Sequence, residues 1–279
     1  MTFKEITIAL RNVTIGSNLY SFTLRKPRKI VSYASECLFL ARQLHPNGDL
    51  PQVQVWDHFG IKPTLPVVLA GDAGDSEWFR PIASYTVDLI AMCMLCQIVK
   101  PSVIFEIGTY HGSGALHWAL NAPTATVYTL DLPPQKRPEL HTTVVDQYHI
   151  RERSTAESTM VFAGRPEAER IRCLLGDSAR FDFAPYFQRV DLFFVDGAHS
   201  YEYVTCDTRS ALACCKPGGV IAWHDYGRSG VNGVSKVLHK LAANGYPINR
   251  VPGGSLAYTR KNLGADIGRN LPDGLQSAP

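Results

Sequence analysis

With 279 residues, 45% of them hydrophobic, the chain can bury a full core as one large domain or as one domain with an appendage. A net charge of +3 is no nucleic-acid footprint, and seven cysteines, an odd number scattered through apolar segments, do not make a secreted disulfide framework. No run reaches the roughly 20 apolar residues of a membrane span and the polar N-terminus lacks a signal peptide's apolar core, so a soluble cytoplasmic protein is expected.

Residues 1–78 read as an arm or cap with little core of its own. Its first 30 residues hold six basic side chains (Lys4, Arg11, Arg25, Lys26, Arg28, Lys29) against Glu5, which reads as a solvated arm. Helical spacing at Ile30, Tyr33, Cys37, Leu38 and Ala41 is followed by Pro46, Pro51, Pro63 and Pro66. Pro81 can open a helix that runs to about Val99, where Lys100 and Pro101 stop it. Cys93 and Cys96 form a CxxC inside that apolar run, with no second Cys or His pair spaced for zinc, and read as core.

The next stretch, SVIFEIGTYHGSGALHWAL from Ser102, organises the rest. Val103, Ile104, Phe105 and Ile107 read as a strand buried on both faces, breaking into a turn at Gly108, Gly112 and Gly114 and then a helix. The spacing is GxxxGxG, not the dinucleotide GxGxxG, and Glu106 sits badly beside a pyrophosphate. A short-chain dehydrogenase would carry a YxxxK pair, and no tyrosine here has a lysine four residues on. A cationic or hydroxyl-rich cofactor is expected.

Further strands follow at Ala125–Leu130, ending in Asp131; at Ile171–Leu175, ending in Gly176 and Asp177; at Val190–Val195, ending in Asp196; and at Gly219–Trp223, ending in His224 and Asp225. A helix at Ser200–Cys215 separates the last two, which makes the class α/β with a mainly parallel sheet. In such sheets ligands bind at the carboxyl ends of the strands, so these polar termini should converge on one cleft. Residues 133–170 are long for a connection and read either as a solvated helical insertion or as a lid over the substrate. A helix at Ser229–Ala243 and two short strands, Tyr246–Val251 and Ser255–Arg260, close the domain, and residues 262–279 read as a loose tail.

Over roughly residues 79–261 the chain resembles the class I S-adenosylmethionine-dependent methyltransferases. EIGTYHGSG, TLDLPP, LLGDS and VDLFFVDGAHSYEYV look like the family's first four motifs. The resemblance implies a Rossmann-like seven-stranded sheet of order 3-2-1-4-5-7-6, its last strand antiparallel and helices on both faces. EIGTYxG is similar to the metal-dependent catechol and caffeoyl-CoA type O-methyltransferases, and VDGAHSYEYV with CKPGGVIAWHDYG to bacterial enzymes that methylate sugar hydroxyls. It further implies that Glu106 and Gly108 meet the methionine end of S-adenosylmethionine, that Asp131 meets the ribose, and that Asp177 and Ser178 lie near the adenine. Thr109, Tyr110, Gly112, Gly114, Leu132 and Asp196 complete the expected cofactor contacts.

The expected chemistry is inversion at a methyl carbon, which needs an aligned and activated oxygen. Asp196 and Asp225 end strands that should lie about 4.8 Å apart, so they can share a divalent cation. His224 is a candidate third ligand; catechol-type relatives carry an acid there, so manganese, iron, zinc or no metal stay open beside magnesium. His199, at the offset of the catechol-type lysine, is the expected general base at the rim of that site. The expected activity is metal-assisted O-methylation of a small hydroxylated molecule such as a sugar. A metal-independent methyltransferase, or an idle cofactor-binding subunit, is the alternative. No nucleic acid is expected as partner, and a homo-oligomer is left open.

Overall fold

The computed structural model describes residues 49–61, 66–70, 83–152, 159–228 and 230–261. The basic N-terminal cluster, the helical spacing at 30–41 and the tail beyond 261 lie outside the described residues. Along the chain come α1 (Val55–Phe59), α2 (Ala83–Val99), β1 (Val103–Ile107), α3 (Ser113–Asn121), β2 (Thr126–Asp131), α4 (Val144–Glu152) and β3 (Ile171–Leu175). They are followed by β4 (Val190–Val195), α5 (Tyr201–Cys214), β5 (Cys215–Trp223), α6 (Asn232–Ala243), β6 (Asn249–Arg250) and β7 (Ala257–Arg260).

The seven strands form one sheet in the order β3-β2-β1-β4-β5-β7-β6. Strands β1 to β5 pair in parallel and β7 runs antiparallel to both β5 and β6. Successive side chains of a strand point to opposite faces, and both faces here are apolar. Ile104, Leu192, Phe194, Val220 and Ala222 pack under α2 and α3, while Phe105, Ile107, Phe193, Val195, Ile221 and Trp223 pack under α5 and α6. Phe105 anchors the second layer, its ring 5.1 Å from Phe193 and 4.9 Å from Tyr186. No helix among the described residues is long and apolar enough to cross a membrane.

Strand order reverses between β1 and β4, the switch point at which a ligand cleft opens in such sheets. The elements differ from the sequence expectation mainly at their edges. β5 starts four residues early at Cys215 and runs through Pro217, because Gly218 N–H donates to Lys261 O and Lys261 N–H to Gly219 O. β6 shrinks to two residues: Pro247 and Pro252 flank it and neither can donate to a ladder. In the 133–170 insertion, α4 and a 3-10 turn at Pro166–Arg170 are the regular elements among the described residues.

Candidate active site

The turn after β1 is shaped by close packing. Gly108 has φ +101°, and a β-carbon there would run into the backbone carbonyl of Asp196, where β1 and β4 end side by side. A β-carbon at Gly112 would meet the Phe162 ring, and one at Gly114 the Glu106 carboxylate. Glu106 is buried beneath the turn, accepting from Trp118 Nε1 at 2.9 Å and from Thr129 Oγ1 at 2.6 Å. Burial pushes its carboxyl up to about 8, against the pull of those two donors. Thr109 lies 2.7 Å from Thr129, hydroxyl to hydroxyl.

Asp131, at the end of β2, is half-buried and oriented by backbone groups. Its Oδ2 accepts from Tyr110 N–H at 2.9 Å and its Oδ1 from Leu132 N–H at 2.7 Å. Asp177 is buried and accepts from the Glu139 and Ala179 N–H groups and from the Tyr203 hydroxyl, which ties the insertion and α5 to the end of β3. Ser178 lies near Asp207 of α5, a buried carboxyl that burial pushes up to about 7.

The ends of β4 and β5 bring the strongest charges together. Because Val195 pairs with Trp223, Asp196 and His224 follow on neighbouring strands, and Asp225 has φ +61°, a left-handed conformation that aspartate tolerates better than most residues. Donor atoms of Asp196, His199 and Asp225 all lie within 4.8 Å of one another. His199 stands inside this group and not at its rim. Its Nδ1 is 2.6 Å from Asp146 Oδ1 and its Nε2 2.8 Å from Asp225 Oδ2. Burial alone would lower its pKa, but the Asp146 and Asp225 carboxylates raise it to about 10, so the ring is an imidazolium holding a proton on each nitrogen.

His224 falls outside that compact group, although it was a candidate ligand. Its Nδ1 is 3.1 Å from Asp196 Oδ1 and its Nε2 3.3 Å from Asp88 Oδ2, and the ring stacks on Tyr85. The Asp225 and Asp196 charges hold its pKa well above the ordinary value in spite of burial. Arg228 sits 2.9 Å from Asp225 Oδ1 with its guanidinium 3.9 Å above the Tyr85 ring. Arg228 and His224 together hold the Asp225 carboxyl well below the usual range against its burial.

Several of these residues escaped the sequence reading. Asp146 caps α4: its Oδ2 accepts from Thr143 N–H at 2.6 Å while Thr143 Oγ1 accepts from Asp146 N–H at 3.1 Å. That T-x-x-D reciprocity is a capping box, a signal legible in TVVD, though it marks a helix start and not a partner for His199. Asp88 is the lone acid of an apolar helical run, a signal that the sequence reading passed over. Tyr85, His149 and Arg228 had no signal of their own.

Residues 105–226 match the family described as "Methyltransferase domain". Over those residues the chain is similar to methyltransferase domains. Among solved structures it is similar to the SAH-bound methyltransferase PaMTH1 of Podospora anserina, at 15% identity and TM-score 0.47 over 70% of this chain and 89% of that one. A proposed caffeoyl-CoA O-methyltransferase from Staphylococcus aureus aligns at 18% identity and TM-score 0.46, over 63% and 83% of the two chains. Cofactor-bound Rv0187 from MTB aligns at 19% and 0.43, over 68% and 86%. Curated proteins return no match.

Proposed function

We propose that this methyltransferase moves the methyl group of S-adenosylmethionine to a hydroxyl oxygen of a small polyhydroxylated molecule, with Asp196, Asp225 and His199 holding a divalent cation. The observation that carries the reading is the meeting of those three donor sets within 4.8 Å, next to the glycine turn. Two carboxylates and an imidazole suit manganese, iron or zinc as well as magnesium. Such a cation, when bound, lowers the pKa of a hydroxyl that touches it.

The chain's own groups account for the rest. Asp131 is oriented by two backbone donors, and its carboxylate would accept from the two ribose hydroxyls. Glu106, Gly108, Thr109, Tyr110, Gly112, Gly114 and Leu132 build the turn against which the methionine end would lie, with Asp177 and Ser178 towards the adenine. Asp131 places a carboxylate at the mouth, and a nearby anion favours a sulfonium over its neutral product. The acceptor oxygen bonds to the methyl carbon as the carbon–sulfur bond breaks, S-adenosylhomocysteine leaves, and the hydroxyl proton passes to a base.

One observation favours transfer without a metal. His199, His224 and Arg228 already pair with Asp225, Asp196 and Asp146, so cationic side chains of the protein itself answer those three carboxylates. Calorimetry with Mn²⁺ or Mg²⁺ separates the two readings. Under the first, the cation displaces the His199 proton, so binding releases protons and its heat changes with the buffer, and Asp196→Asn weakens it at least tenfold. Absence of cation binding together with turnover that survives chelation would establish the metal-free route.

A further inference from the structure

His149 lies on α4, one turn after Asp146, and residues three apart share a helix face. That face is held against the site, because Asp146 Oδ1 accepts from His199 N–H at 3.0 Å and from its Nδ1 at 2.6 Å. The His149 ring stands edge-on to Tyr110, centroids 5.4 Å apart at 88°. Tyr110 is the positive-φ residue of the cofactor turn, its N–H bound to Asp131. His149 also lies within electrostatic reach of His199, Asp225, Asp146 and Asp196. Its ring contact with Tyr110 and its helix face shared with Asp146 place it near both the glycine turn and the carboxylate–histidine cluster.

The three imidazoles of the site differ in what their nitrogens can do. Both nitrogens of His199 face carboxylates, and His224 is buried between Asp196 and Asp88. His149 is half-buried, touches Tyr110 and Tyr148 by its ring, and makes no hydrogen bond among the described residues.

We propose that His149 is the base that takes the proton from the acceptor hydroxyl. The assignment rests on the methyl-transfer reading above and moves the role expected of His199 to a residue of the insertion. Burial, then the positive charge of His199, lowers the His149 pKa, so the ring is neutral at pH 7 and has a lone pair to offer. The oxygen–carbon bond forms, the carbon–sulfur bond breaks, the proton lands on a His149 nitrogen, and the imidazolium then releases it to solvent.

The test uses the full chain and reads release of S-adenosylhomocysteine from S-adenosylmethionine with a panel of acceptors: a catechol, a flavonoid and methyl glycosides of hexoses and deoxyhexoses. His149→Ala should lower kcat by about 100-fold or more with acceptor KM and S-adenosylhomocysteine affinity changed less than about threefold. The acid limb of the kcat–pH profile should disappear in the variant, and added imidazole should restore part of the rate. A kcat within about fivefold of wild type, or a loss of cofactor affinity as large as the loss of rate, overturns the assignment. A wild-type protein that binds the cofactor yet releases no product with any acceptor rejects the methyl-transfer reading itself, and the base role with it.

Discussion

His199 and Glu106 give the folded chain a pH dependence of predictable sign. His199 has a folded pKa of about 10 against an ordinary 6.5, so its contribution to stability is complete below pH 6.5 and is lost as pH rises through about 10. Glu106, an acid raised to about 8 from 4.5, acts in the same direction: the fold favours its neutral form, and stability declines as pH rises from 4.5 to 8. The cation-free, cofactor-free protein should therefore melt at progressively lower temperature from pH 6.5 to 10. His199→Gln should reduce that decline above about pH 9, by when Glu106 has largely ionised, leaving the part due to His224, whose pKa is also raised. A melting temperature constant across this range, measured by circular dichroism, would show that His199 is not protonated in the fold. At this scale the carboxylates on strand termini were legible, because an acid that ends an apolar run has one place to go. Asp146 was not, since the contact that matters, to His199 fifty-three residues away, depends on how the insertion folds back.

Among the elements, α2 does more than shield the sheet. Its Asp88 is buried and accepts from Ser255 N–H, Ser255 Oγ and Leu256 N–H, which pins the turn between β6 and β7. A β-carbon at Gly254 would collide with that carboxylate, so the second glycine of the PGG turn is required by the helix packed on it. The same carboxylate faces His224, so α2 also supports the residue beside Asp196. Asp88→Ala would strand three donors and uncover a buried imidazolium, at a cost of roughly 3 to 5 kcal/mol, the range for breaking a buried charged pair. Urea denaturation checks this, and a loss below about 1 kcal/mol would mean that water replaces the carboxylate without strain. The strands β3 and β4 were legible to the residue because each is a short apolar run bounded by charge or glycine. The start of β5 was hidden, since Pro217, Gly218 and Gly219 look like a break, and only pairing with the chain at Lys261 makes them strand.

Taken as a whole, the molecule does not divide where its composition suggests. The sequence places the arm at 1–78 and the methyltransferase domain at 79–261, yet the described part of the arm is built into the domain's core. Val55 is fully buried and Leu50 and Ala70 nearly so, each in a cluster shared with the sheet and its helices. Residues 51–53 run along β6 like a further strand: Val53 N–H donates to Arg250 O and Arg250 N–H to Pro51 O, while Tyr258 Oη donates to the Val53 carbonyl. Asp49 joins Arg250 and the Tyr226 hydroxyl, and Val68 exchanges two hydrogen bonds with Asn121 of α3. Composition missed this because the segment is rich in proline and lacks a periodic face; its burial comes from a surface supplied by β6, β7 and α2. A protein that begins at residue 79 would thus expose the edge of β6 and the pockets of Leu50 and Val55. Losing those two side chains alone should cost roughly 3 to 6 kcal/mol, at about 1.5 to 3 kcal/mol for each fully buried aliphatic residue. Compared with a chain beginning at residue 49, the shorter one should unfold at lower urea and associate through its open strand edge, visible in sedimentation as species larger than the longer chain forms. Coincident urea midpoints for the two lengths would show that the segment rests on the domain without stabilising it.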